Sequence, residues 1–96
     1  MIESEARDFE AHEIKQLIFS RVIAESDFNM GSQVIAKGDR GLVIYGIAPL
    51  PEGVEDPLAE FGPRIPKVLV IWDNPGVSGT SFRKPEFERY LKVMMN

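Results

Sequence analysis

Thr80 and Ser81 follow a glycine-bearing loop, Asn74-Pro-Gly-Val-Ser-Gly79, and Arg83 and Lys84 come just after them. Hydroxyls and cations behind such a loop are the parts of a phosphate cradle, in which backbone N–H groups and a lysine hold the anion. That cradle needs four residues between its glycines, a lysine directly after the second, and a long helix beyond. Here the glycines are too close, Thr80 stands where the lysine should, and Pro85 follows within a few residues. A turn explains every residue better. Asp73 and Asn74 begin it, Pro75 fixes φ, and Gly76 permits positive φ.

Other chemistries fare no better. His12 is the only histidine, flanked by Glu10 and Glu13. On a helix those neighbours point to different faces, so they do not converge on a metal. One histidine and no cysteine leave no three-ligand zinc site, and they exclude disulfides and thiolate nucleophiles. Carboxylates are abundant at Glu3, Glu5, Asp8, Glu10 and Glu13, and again at Glu52, Glu55, Asp56 and Glu60. An acid–base pair needs a cleft with two distinct environments. These residues read instead as solvated charge on an arm and a loop. Asp73 follows an apolar strand and is read as a turn residue. No catalytic set is expected, and neither is a cofactor or a metal.

Charge is unevenly spread. The 96 residues carry a net charge of −4. Residues 1–61 hold 12 acids and 5 bases, whereas residues 62–96 hold 3 acids and 6 bases. The overall sign argues against a dedicated nucleic-acid binder. Even so, Arg64, Lys67, Arg83, Lys84, Arg89 and Lys92, near Phe82, Phe87 and Tyr90, are what an RNA- or DNA-binding face would need. The acidic start could equally lie against that face.

These groups must be positioned by short elements. Phe9, Ile14, Leu17, Ile18 and Val22 give a rough helical stripe, and from Leu17 the residues become β-branched and aromatic. The expectation is an acidic arm or short helix over 1–17, then a strand from Ile18 to Glu25; a single helix from Ser4 to Ala24 is the alternative. Residues 25–31 read as a loop, 32–36 as a short extended piece, and Lys37-Gly-Asp-Arg-Gly41 as a turn. A strand over 42–48 follows, with Gly46 marking a bulge or a close approach. Five of the seven prolines fall between Pro49 and Pro66, so the 48–66 segment is a long loop. Val68–Asp73 is the clearest strand. Thr80–Lys84, a helical turn after Pro85 and a last strand from Leu91 to Met95 complete the chain.

This order resembles the SH3-like barrels. Val34-Ile-Ala-Lys-Gly-Asp-Arg-Gly-Leu-Val-Ile44 is similar to the turn-and-strand element of KOW-type domains, with its core at Gly38, Asp39, Arg40, Gly41, Leu42 and Val43. Val68–Asp73 sits where such barrels carry a central strand ending in an aromatic and an acid. The resemblance covers residues 18–94 and implies a mainly β fold: a small SH3-like barrel of about five short antiparallel strands, spanning 18–96. Such barrels bind Pro-rich peptides, RNA or other proteins, and fold alone does not choose. The 48–66 loop is longer than compact barrels need. Only Tyr45, Trp72 and Tyr90 supply polar-tipped rings.

The expected function is a non-enzymatic protein-interaction module, a regulatory or accessory subunit with an unknown protein partner. A basic nucleic-acid face is the alternative. Leu58 and Phe61, on a loop more apolar than solvent requires, are the expected anchors, together with the turn at Trp72 and Asp73. The acidic start has no apolar core for a signal peptide, and Val68–Trp72 is too short to span a bilayer. A cytoplasmic protein without membrane contact is therefore expected.

Overall fold

The structure, a computed structural model, describes residues 7–94. The first six residues of the expected arm, and Met95 of the expected last strand, lie outside the described residues. Helix α1 (Ala11–Leu17) precedes strand β1 (Arg21–Ala24) and the hairpin β2 (Phe28–Met30) and β3 (Gln33–Ile35). Strand β4 (Arg40–Ile47) leads into the long loop, which holds a 3-10 turn at Ala59–Phe61. Then come β5 (Lys67–Trp72), β6 (Thr80–Phe82), helix α2 (Lys84–Tyr90) and β7 (Leu91–Val93).

Five strands form one antiparallel sheet in the order β6-β5-β4-β1-β7, and β2 and β3 pair separately. The chain thus folds as a mainly β domain, a curled small barrel of five short antiparallel strands behind an N-terminal helix. Helix α2 joins the two edge strands, β6 and β7. Period-2 alternation builds the core: Val22, Val43, Val68, Val70 and Phe82 point inward and are fully buried. Phe28 fills the barrel mouth, stacked on Tyr90 at 4.4 Å and edge-on to Trp72 and Phe82.

The split at the N-terminus has a local cause. Glu13 accepts a hydrogen bond from the Glu10 N–H (2.8 Å) and so starts α1. Just past its end Phe19 takes φ +67°, a left-handed conformation that glycine usually fills at this position. That reverses the chain and feeds β1, so no single helix runs to Ala24. Phe19 is 72% exposed, which leaves the ring little packing to offset the backbone strain. Phe19→Asn should raise stability by about 0.5–1 kcal/mol, read as a higher urea midpoint; a lower midpoint would contradict the strain.

One expectation needs correction. Residues 25–31 are not all loop, because Phe28–Met30 pairs with Gln33–Ile35 in register Phe28↔Ile35. The turn formers flank a three-residue strand whose Phe28 is buried. Gly46 does mark a close approach. A Cβ there would overlap Ile14 Cγ2, so its absence lets α1 lie on the sheet. The bulge falls just before it, at Ile44, between the pairs Val43↔Val70 and Tyr45↔Leu69.

Candidate functional site

The loop after β5 spends its donors internally. Asn74 Oδ1 accepts from the Gly76 N–H (3.0 Å), Asn74 O accepts from the Val77 N–H (3.1 Å), and Gln33 Oε1 accepts from the Ser78 N–H (2.7 Å). Three N–H groups that a phosphate would need are already bonded, so the segment is a turn as expected, although Gly76 does not take the positive φ that its type permits. His12 is exposed, 3.4 Å from Glu10. Among the described residues no three His, Cys, Asp or Glu side chains gather as a metal would require. No helix of the described chain is long and apolar enough to cross a membrane.

The long loop is built around one ion pair. Arg64 donates to Asp56 Oδ2 through Nε (3.1 Å) and to Ala48 O through NH1 (3.2 Å). The beginning, middle and end of the loop are thereby tied at one point. Asp56 Oδ1 also accepts from the Leu58 N–H (2.9 Å), an Asx turn that launches the 3-10 turn. Gly62 ends it at φ +120°. The result is a groove of about 350 Å³ between this loop and the end of β4. Leu58, Phe61 and Ile65 line its loop side, and Tyr45, Ile47 and Lys67 its sheet side. Phe61 is 78% exposed, although the loop beneath it is pinned.

Leu58 and Phe61 therefore come together, as expected. Tyr45, Ile47 and Ile65 join them, though none of the three is among the expected anchors. The two other expected contact residues stand elsewhere. Trp72 is 4% exposed, and its indole N–H donates to Thr80 Oγ1 (3.1 Å). It is core and presents no face to a partner. Asp73 is exposed, 3.9 Å from Arg21, but it lies past the far end of β5. Six residues from Lys67 at about 3.3 Å each separate it from the groove by roughly 20 Å.

The basic face is partly neutralised. Arg83 makes a forked pair with Asp8 (2.9 and 3.0 Å), and Lys84 meets Glu13 (2.6 Å). Arg64 is held by Asp56, and Arg89 lies over the Tyr90 ring at 5.9 Å. Lys67 borders the groove, and Lys92 is exposed on β7. The six cations do not form one surface, because α1 and the segment before it supply acids to two of them.

These pairs set an acid sensitivity. The Leu58 N–H and then Arg64 hold the Asp56 carboxyl below its ordinary range. The Lys84 ammonium, and then the Glu10 N–H, do the same for Glu13. Unfolded carboxylates titrate near ~4, so below that range the unfolded chain binds more protons than the folded one. The stability these groups contribute is fully present above about pH 4 and is lost as pH falls through the lowered values. The urea midpoint should drop between neutral pH and about pH 3. The drop should be smaller in the Asp56→Asn/Glu13→Gln variant; an equal drop would remove these two groups as its source.

Comparison with protein-family models, with curated proteins and with solved structures found no match for this chain. The reading of the site rests on its own geometry.

Proposed function

We propose that this chain is a small, non-enzymatic protein-interaction module of SH3-like type, acting as a regulatory or accessory subunit of a larger assembly in the cytoplasm. The sheet order supports the SH3-like reading, with the β2–β3 hairpin inserted between β1 and β4 and a short helix ahead of the last strand. One observation carries the functional reading. Phe61, Leu58 and Tyr45 are held exposed around a groove whose loop is anchored by a half-buried ion pair. A loop that merely covered the barrel would turn those rings inward, since burying an aromatic is worth about 1.5–3 kcal/mol. Held outward, they are anchors for an apolar group of a protein partner. The nucleic-acid alternative has less support, because Arg64, Arg83 and Lys84 already have acidic partners.

The test is capture from source-cell lysate with and without nuclease, followed by affinity measurement with the purified partner. Leu58→Ala/Phe61→Ala should weaken that partner by about thirtyfold or more while leaving the urea midpoint nearly unchanged. Undiminished binding by the double variant would place the contact elsewhere. A bound set that vanishes with nuclease would favour the basic face.

A further inference from the structure

A second surface lies on the outward face of the sheet. Strand register fixes its members. Arg21 pairs with Leu42, and Leu42 with Ile71. In the next row Lys92 pairs with Ile23, and Ile23 with Arg40. On the other side Tyr45 pairs with Leu69, and Ile47 with Lys67. The inward residues between them, such as Val22, Val43 and Val70, are buried, so all of these side chains share the opposite face.

The composition of this face is one-sided. Four of its residues are cations, Arg21, Arg40, Lys67 and Lys92, and no strand position on it is acidic. The chain as a whole has 15 acids against 11 bases. Asp73, beyond the end of β5, lies 3.9 Å from Arg21. Among the described residues, Arg40, Lys67 and Lys92 make no ion pair. Between the cations lie Ile23, Leu42, Leu69 and Ile71, and Ile71 is 46% exposed.

We propose that this face binds an acidic protein segment carrying aliphatic or aromatic anchors. Its cations select carboxylates, and its aliphatic centre needs an apolar counterpart to cover it. A nucleic acid would satisfy the cations but not the aliphatic centre; Tyr45, the ring on this face, stands at the groove end and not among Ile23, Leu42 and Ile71. A second copy of the same face would oppose cation to cation. The surface meets the groove beside Phe61 at Tyr45, Ile47 and Lys67, but its centre, Arg21, Ile23, Arg40, Leu42, Ile71 and Lys92, lies outside that groove, so the Leu58/Phe61 double change separates the two readings.

The experiment is selection of random dodecapeptides displayed on phage against the immobilised full chain. Recovered peptides are then titrated against wild type, Arg40→Glu/Lys92→Glu, Ile71→Ser and Leu58→Ala/Phe61→Ala. All three variants sit on exposed positions, and unchanged urea midpoints confirm that they fold. The proposal expects peptides enriched in both acids and apolar residues. Binding should fall at least about tenfold on charge reversal and on Ile71→Ser, and should weaken as salt rises. It should be unchanged by the Leu58/Phe61 double change. Several results would overturn the proposal: no recovered peptide, peptides without acids, or binding indifferent to charge reversal. Two more would do so by naming another occupant. One is oligouridylate binding lost in the charge-reversed variant. The other is concentration-dependent self-association lost in Ile71→Ser.

Discussion

Trp72→Ala is expected to unfold much of the protein rather than to remove a contact with a partner. The ring ends β5, is 4% exposed, and lies edge-on to Phe28 at 6.5 Å and to Phe82 at 6.3 Å. Its indole N–H satisfies Thr80 Oγ1, and the Thr80 hydroxyl in turn donates to Ser78 O (3.2 Å). Truncation leaves a cavity between β5, β6 and the hairpin, at a cost of about 3–5 kcal/mol. A domain this small has roughly 5–15 kcal/mol in total, so the loss is a large share. Trp72→Phe should cost less, because Thr80 keeps its bond to Ser78 and most of the ring area remains. The neighbouring Ile71→Ala is the control. It removes an outward side chain and should cost under about 1 kcal/mol. Circular dichroism against urea measures all three. Equal costs for Trp72→Ala and Ile71→Ala would mean that Trp72 is no more buried than Ile71, and a larger cost for Ile71→Ala would mean that β5 has the opposite face inward.

The parity that buries Trp72 was present in the sequence. Val68, Val70 and Trp72 alternate on one face, and Lys67, Leu69 and Ile71 on the other. Trp72 belongs to that alternation and not to the turn that follows it. Strand face, not place in the chain, is what joins Arg21 and Arg40 to Lys92. Five strands and the short helix α2 were legible because their cues are local: alternation, the Gly-Asp turn, proline at the start of α2. Tyr45 was not legible. Continuing the alternation of Gly41 and Val43 would turn it inward, but the extra residue at Ile44 shifts the phase and sends it out beside Phe61. Leu58 and Phe61 were found by a different signal, apolar residues in excess of what a loop requires. The Asp56–Arg64 pair that holds them joins residues eight apart across a proline-rich segment, and no periodicity marks such a pair.

Gly46→Val should detach α1 from the sheet while leaving the barrel closed. Gly46 faces inward opposite Val68, and α1 crosses directly over it. A Cβ at this position would overlap Ile14 Cγ2 and come within 3.6 Å of Ile18 Cδ1 and 3.5 Å of Lys67 O. The Lys67 O and Ile18 distances are ordinary contacts; the overlap is with Ile14 Cγ2, a methyl on the branched Cβ close to the helix backbone, so the helix must move. Overpacking of this kind costs about 1–3 kcal/mol, with valine at the upper end and alanine lower. Moving α1 also parts Glu13 from Lys84. A double-mutant cycle isolates the contact. Ile14→Ala alone opens a cavity and should cost about 2–5 kcal/mol. In a Gly46→Ala background the new methyl occupies part of that space, so the same change should cost less, with a coupling of about 1 kcal/mol or more. Strict additivity would mean that α1 does not rest on Gly46 in solution. Coupling of the expected size would make this glycine the seat of the N-terminal helix. It would also explain how an acidic segment is brought over Lys84 and Arg83, leaving Arg40 and Lys92, on the outward face of the sheet, without an acidic partner among the described residues.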